Sequence, residues 1–256
     1  INIVACGTAY HVGVVAKYAF EELLRISVEV DVASEFRYRD PILNENTLMI
    51  IISQSGETAD TLAALREAKR AGCRVLSVVN VVGSTIATES DDVLYTWAGP
   101  EISVASTKAY STQLAVIYLL ALYIGEQLGK FTQEQLSAYI AALEKLPEQI
   151  DEMLKHKENI QFFASKYFNA SDMYFIGRNV DYAASLEASL KLKEISYIHS
   201  EAYAAGELKH GPISLIEDGT LVIALATDAR LFDKMMSNIK AVSYTHLRAH
   251  ETLMNL

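Results

Sequence analysis

Short apolar runs take turns with helix-length stretches from the first residue onward, and this alternation constrains the fold more than any other feature of the chain. Ile1-Ala5 (INIVA) reads as a strand and Gly7 to Leu24 as a helix. Val28-Val32 and Thr47-Ile52 (TLMIII) are two further strands, with a helix from Thr58 to Ala71. Arg74-Asn80 and Asp92-Tyr95 are two more, and an uncharged helix follows. Strands separated by helices cannot pair through tight turns, so the pattern predicts an α/β fold with a parallel sheet covered by helices.

The pattern then restarts. Lys130 to His156 is charged and helix-favouring, and Pro147 is expected to break it, as befits a connector. Asp172-Phe175 reads as a strand, followed by Gly177-Arg178 and a helix through Tyr197. Ser200-Glu201 echoes Ser34-Glu35, and Thr220-Ala226 echoes Thr47-Ile52, so the chain reads as a duplicated unit. The expected division is a first unit over 1–130, a helical connector over 131–168, a second, incomplete unit over 169–240, and a tail over 241–256. That tail, AVSYTHLRAHETLMNL, is either foreign to the fold or a divergent helix.

Composition narrows the function classes. A net charge of −10 and a pI near 5.1 disfavour nucleic acid and anionic membrane surfaces as partners, so an anionic ligand needs a local site. Two cysteines, Cys6 and Cys73, cannot build a disulfide framework or a four-thiolate zinc site; no metal is implied, and a reducing cytoplasm fits. The longest uncharged run, Ala109 to Gly125, contains Ser111, Thr112 and Gln113 and falls short of the ~20 apolar residues of a membrane span. It reads as a buried core helix. No signal peptide is visible, and the start at Ile1 rather than Met raises the expectation of a fragment.

Ser53-Gln54-Ser55-Gly56-Glu57-Thr58 carries the sharpest chemical signal. It joins a strand to a helix, at the carboxyl edge of a parallel sheet where ligands bind. Its hydroxyls and amide, with the helix N-terminus behind them, suit a phosphate monoester. The alternative is that Ser55 or Thr58 merely caps the helix. The spacing does not match a phosphate-binding GxxxxGK[ST] loop, and the first turn, Cys6 to Gly13, does not give the dinucleotide signature GxGxxG, which disfavours a dinucleotide-binding enzyme. Val104-Ala105-Ser106-Thr107-Lys108 is a second polar turn, open to the same two readings. Cys6 reads as a small buried hydrophobe rather than a nucleophile.

Further along, Ala183, Leu186, Leu190 and Glu194 fall on one helical stripe, so Glu194 stands where an apolar side chain is expected. Lys191 is within pairing reach, so Glu194 is either catalytic or part of a structural ion pair, Lys191–Glu194, with Glu187–Lys191 as the other structural pairing. The segment Glu201 to Pro212 reads as a small-residue loop that ends near His210, a candidate proton carrier. His11, His156 and His199 read as structural.

Taken together, CGTAYH, ASEFRYR, SQSGETADT, VASTKA and LKLKEISYIHSEAYAAGELKHGP resemble the sugar-isomerase (SIS) domains of the glutamine:fructose-6-phosphate amidotransferase family. The resemblance runs from about Ile1 to Lys240. It implies a three-layer α/β/α SIS fold repeated twice in a homodimer, with fructose 6-phosphate as substrate, glucosamine 6-phosphate as product and no cofactor. It places the phosphate on Ser53, Gln54, Ser55 and Thr58, and sugar contacts on Thr8, Val104 and Ser106. Ala9 stands where the family often has a serine that adds a phosphate contact. Glu194 matches the base that moves a proton between C1 and C2, Lys191 the lysine beside it, and His210 the histidine that opens the ring, supplied by the neighbouring subunit. The family's glutaminase domain and its C-terminal tail have no match here, and neither Lys234 nor Lys240 replaces the tail's lysine. The expected activity of this chain is therefore sugar-phosphate binding with, at best, weak isomerisation. The competing readings are a non-catalytic SIS sensor and another SIS aminosugar-phosphate isomerase or deglycase.

Overall fold

The computed structural model describes residues 1–217 and 219–245, and the chain divides into two compact units, Ile1–Tyr139 and Ile140–Leu256. In the first, β1 (Asn2–Ala5), α1 (Gly7–Leu24), β2 (Glu29–Val32), α2 (Ala33–Phe36), β3 (Leu48–Ser53), α3 (Ala59–Arg70), β4 (Arg74–Val79), α4 (Thr85–Glu89), β5 (Asp92–Tyr95) and α5 (Lys108–Gln127) follow one another. The five strands form a wholly parallel sheet in the order β2-β1-β3-β4-β5. The apolar run of β3 supplies both faces by alternation. Ile50 and Ile52 join Ile3, Val78 and the α1 residues Val12, Ala16 and Phe20, while Met49 and Ile51 join Val4, Val75 and the α3 residues Ala64, Leu65 and Ala68. Complete burial of such side chains contributes roughly 1.5–3 kcal/mol each, which is why the central strand carries no polar residue before Ser53. α5 packs on α1 through Ile117, Leu120 and Ala121. The uncharged run is thus half-buried and not wholly internal: Leu119 and Tyr123 are exposed. Among the described residues no helix is long and apolar enough to cross a membrane.

The second unit takes in most of α6 (Gln133–Leu154), then α7 (Lys157–Tyr167), β6 (Asp172–Gly177), α8 (Val180–Ser196), β7 (His199–Ala204), β8 (Leu221–Ala224) and α9 (Phe232–Thr245), with 3-10 turns at Glu207–His210 and Pro212–Leu215. Its sheet is parallel in the order β7-β6-β8, so the first strand again sits in the middle, flanked by the second and third. α8 packs against β6 and β7, and α9 adds Met235, Ile239 and Val242 to a core with Tyr174 and Ile176.

Three expectations are corrected. Pro147 lies inside α6 and does not break it. The proline and the residues from Glu144 to Ile150 are exposed, and Leu143, whose carbonyl loses its N–H partner, is only half-buried, which lowers the cost. Glu201 to Ala204 are strand rather than loop, because β7 pairs with β6 along its whole length, from Asp172↔His199 to Gly177↔Ala204. The echo of Ser34-Glu35 is therefore out of register: Ser34 and Glu35 sit in α2, after their strand, and Ser200 and Glu201 within theirs. Of the two readings of the tail, residues 241–245 take the helical one: they continue α9, with Val242 in the core; residues 246–256, including His246 and His250, lie outside the described residues.

Candidate functional site

In the first sheet the chain leaves β1 toward β2 on one side and leaves β3 toward β4 on the other. The carboxyl ends of β1 and β3 therefore flank the point where the connections diverge, the place where open parallel sheets bind ligands. Ser53 is the last residue of β3 and is buried there. Its Oγ accepts the Gly56 N–H at 3.0 Å and lies 3.4 Å from the Thr58 hydroxyl. Ser55 Oγ accepts the Glu57 N–H at 3.2 Å. Accepting from the backbone fixes the Ser53 and Ser55 oxygens and uses no hydroxyl proton. Gly56 takes φ +68°, and a Cβ there would lie 2.0 Å from Ser84 Oγ, so only glycine fits the turn. The capping alternative does not hold. Thr58 precedes α3, yet its hydroxyl makes no capping bond, and Ser55 bonds ahead of the helix. The first N–H groups of α3 keep their donors and their positive dipole end.

The surroundings of this loop are fixed by residues that motif reading overlooked. Glu57 accepts both the N–H and the hydroxyl of Thr85, at 2.7 and 2.8 Å, and the Thr85 N–H with its hydroxyl holds that carboxyl below the ordinary carboxylate range. Asn80 donates its N–H to the Gln54 carbonyl at 3.1 Å. Glu101 accepts the Ala109 N–H at 3.1 Å, so the start of α5 is capped by a carboxylate seven residues before the helix and not by Ser106 or Thr107. Only a glutamate unpaired by sequence spacing could have hinted at that. Thr8 stands in the first turn of α1, behind β1; Val104 and Ser106 stand in the loop that follows β5. All three are thus on the same sheet edge as Ser53, Gln54, Ser55 and Thr58. Cys6, half-buried at the end of β1, accepts the Thr61 hydroxyl of α3 at 3.7 Å, a cross-link within the core rather than a nucleophile with a base.

In the second unit the equivalent edge is closed from within. Asp181, buried in the first turn of α8, accepts the Thr227 N–H at 2.8 Å and its hydroxyl at 2.5 Å. Arg178 sends Nε and Nη2 to Asn238 Oδ1 at 3.0 and 2.8 Å. The chemistry-bearing residues lie at the other end of α8. Lys191 Nζ is 2.5 Å from Glu194 Oε2 and 3.5 Å from Glu187 Oε1, an ammonium between two carboxylates. Glu187 is only 4% exposed, whereas Glu194 is the more open of the two. The buried residues of α8 are Asp181, Ala183, Ser185, Glu187 and Ser189, so the stripe through Leu186 and Leu190 is not the innermost one. Helical periodicity failed because this helix buries its polar side chains.

The structure joins Lys191 with Glu194 but not with His210. α8 ends where β7 begins, while the Glu207–His210 turn follows the carboxyl end of β7. Glu194 and His210 therefore sit at opposite edges of the second sheet, and His210 is exposed.

The SIS domain family model matches residues 1–123 and 166–245. The chain is similar to the glutamine–fructose-6-phosphate aminotransferase (isomerizing) of Clostridium tetani, 63% identical over 243 residues that cover 95% of this chain and 40% of that protein. The chain thus spans about two fifths of the length of the curated relatives it matches. Among solved structures, the C-terminal domain of glucosamine-fructose-6-phosphate aminotransferase from Francisella tularensis matches with TM-score 0.94 and 39% identity, over 96% of this chain and 70% of that one. Glucosamine-6-phosphate deaminase from Thermotoga maritima matches with TM-score 0.78 and 26% identity, over 98% of this chain and 75% of that one.

Proposed function

The chain belongs to the SIS domain family, and on that premise we propose that it is the sugar-phosphate isomerase region of a glutamine–fructose-6-phosphate aminotransferase. Its substrate on this reading is fructose 6-phosphate and its product glucosamine 6-phosphate, with ammonia delivered by a glutaminase part of the longer protein. The observation that carries the reading is the Ser53–Thr58 loop: hydroxyls held by backbone N–H groups, beside a helix whose first N–H groups no side chain caps. That is a neutral cradle for a phosphate dianion. Thr8, Val104 and Ser106, on the same edge, are assigned to the sugar.

Glu194 is assigned the proton transfer between C1 and C2. Moving one proton between adjacent carbons needs a group that takes it and gives it back, and a carboxylate does both. Lys191, at 2.5 Å, balances its charge in the ionised form. His210 is assigned ring opening in the site of a second copy of the chain. Its place at the edge of the second sheet away from Glu194 supports that assignment, and with it a homodimer. Two free thiols, Cys6 and Cys73, accord with a reducing cytoplasm.

Calorimetric titration of the chain with fructose 6-phosphate, beside a Ser55→Ala variant, tests the reading. Saturable binding that the variant loses by about tenfold or more, some 1.4 kcal/mol, supports it. Equal binding by both chains removes the phosphate assignment.

A further inference from the structure

Asn80 lies one residue beyond β4, between the two loops that carry the assigned phosphate and sugar contacts, and it bonds to both. Its N–H donates to the Gln54 carbonyl. Its side chain holds the loop after β5 at three points: Nδ2 donates to the Gly99 carbonyl at 2.7 Å, and Oδ1 accepts the Thr96 hydroxyl at 3.0 Å and the Ala98 N–H at 2.9 Å. Between those tethered residues Trp97 has φ +53°, in the left-handed region, with its ring 77% exposed. A bulky non-glycine residue in such a conformation costs roughly 1–3 kcal/mol and persists only where its surroundings hold it. The Trp97 ring gains little there, with one tilted contact to Tyr95 at 5.6 Å. The backbone is held by the Asn80 side chain, through the residues on either side, together with the Thr96 N–H, which donates to the Val79 carbonyl at 2.9 Å.

We propose that Asn80 is a positioning residue: it latches the strained Thr96–Gly99 turn to the phosphate loop and so sets where Val104 and Ser106 meet the sugar. The inference rests on the sugar-phosphate reading above and adds a division of labour to it. The loop over 53–58 holds the phosphate by itself; the rest of the sugar is held only while the latch is closed. A phosphate without a sugar is indifferent to Asn80, and a sugar phosphate is not.

The test titrates the wild-type, Asn80→Ala and Asn80→Asp chains with inorganic phosphate and with fructose 6-phosphate. In parallel it follows the fluorescence anisotropy of Trp97, the only tryptophan. Asn80→Ala is expected to leave the inorganic phosphate affinity within about twofold, to weaken fructose 6-phosphate by about tenfold or more, and to lower the Trp97 anisotropy. Asn80→Asp keeps both acceptor bonds but turns a carboxylate oxygen, which cannot donate, against the Gly99 carbonyl; it opens the latch at that end with the Thr96 and Ala98 bonds intact, so it is expected to show the same split between the two probes and serves as the folded control should the alanine variant unfold. Equal weakening of both probes, or fructose 6-phosphate binding unchanged, overturns the proposal. A wild-type chain that binds neither probe overturns the sugar-phosphate reading instead; the latch itself is then decided by the Trp97 anisotropy.

Discussion

The two units begin alike and part company after their third strand. Both place their first strand between the second and third, β2-β1-β3 and β7-β6-β8, and both follow the first strand with a long helix. In the first unit the chain leaves β3 through Ser53–Thr58, where the Ser53 and Ser55 hydroxyls accept N–H groups of the loop itself, and goes on to two further strands. In the second it leaves β8 through Leu225–Thr227, and the Thr227 donors turn inward to Asp181. The helices differ in the same sense. α1 buries Val12, Val15, Ala16 and Phe20, while α8 buries Asp181, Ser185, Glu187 and Ser189. On the proposed function this scaffold has two uses: the edge of the first unit is assigned the anion, and α8 of the second unit, whose first turn is taken up by Thr227, is assigned the chemistry at its other end.

The largest effects should separate these uses. Glu194→Gln is expected to lower exchange of the C1 proton of fructose 6-phosphate with solvent by about a hundredfold or more, leaving its affinity within about twofold. Ser55→Ala should do the reverse, losing affinity first. Proton NMR in deuterated solvent reads the exchange and calorimetry the binding. A Glu194→Gln chain with unaltered exchange would merge the two uses again.

Next come the glycines on which each edge turns. A Cβ on Gly177 would lie 2.4 Å from the backbone of Asp181, which cannot give way, so Gly177→Ala should cost about 3 kcal/mol or more in denaturant unfolding. On Gly56 the clash is with the Ser84 side chain, and the positive φ adds strain. Gly56→Ala should cost about 2–3 kcal/mol, partly recovered in a Ser84→Gly background, whereas no side-chain change rescues Gly177→Ala. Equal rescue in both units would mean that the two edges are built alike after all.

Asp181→Ala strands the two Thr227 donors and is expected to destabilise the second unit by about 1–3 kcal/mol, measured by urea unfolding. The corresponding change at Ser55 should leave stability nearly untouched, since the one N–H it strands, that of Glu57, is exposed to water.

The smallest contrast is with pH. Glu57 is held low by Thr85, Glu89 by Arg66, Asp91 by Lys69 and the Val75 N–H, and Asp92 by Arg74. In the second unit Asp172 is held low by Ser171 and His199, and Asp228 by Arg230. A depressed carboxyl stabilises above its unfolded pKa, and that contribution is lost as pH falls through the folded value. Acidification from neutrality to below about pH 4 should therefore erode the first unit more, only modestly because these groups face solvent, and Lys69→Met should flatten the curve. Thermal unfolding followed at Trp97 isolates that unit.

Much of this was legible in the sequence wherever one pattern had one physical cause. Gly7–Leu24 and Asp92–Tyr95 come out at the residues where they were read, since each is bounded by a glycine, a charge or a change of period. The Ser53–Thr58 loop stood out because four polar donors interrupt an otherwise apolar strand-to-helix junction. What was hidden depends on partners distant in the chain. Asn80 is an ordinary strand-end asparagine until the loop after β5 folds back on it, and Glu101 caps a helix it does not adjoin. The buried face of α8 was misread because apolarity normally marks the inside, and Asp181, Ser185 and Glu187 reverse that sign. Pro147 was read by its intrinsic cost, which an exposed helix can absorb.

The placement of the two thiols offers a probe that needs no labelled ligand. Cys73 is sealed in the core, and burial pushes its thiol pKa up, so both access and thiolate supply are poor there. Cys6 is half-buried at the end of β1, on the edge that carries Thr8 and Ser53. A maleimide added to the folded chain should therefore modify Cys6 well before Cys73, and a bound sugar phosphate should slow it. The single-adduct mass then becomes a clock for occupancy of the edge, and the rate at which it appears reports how often that edge stands empty.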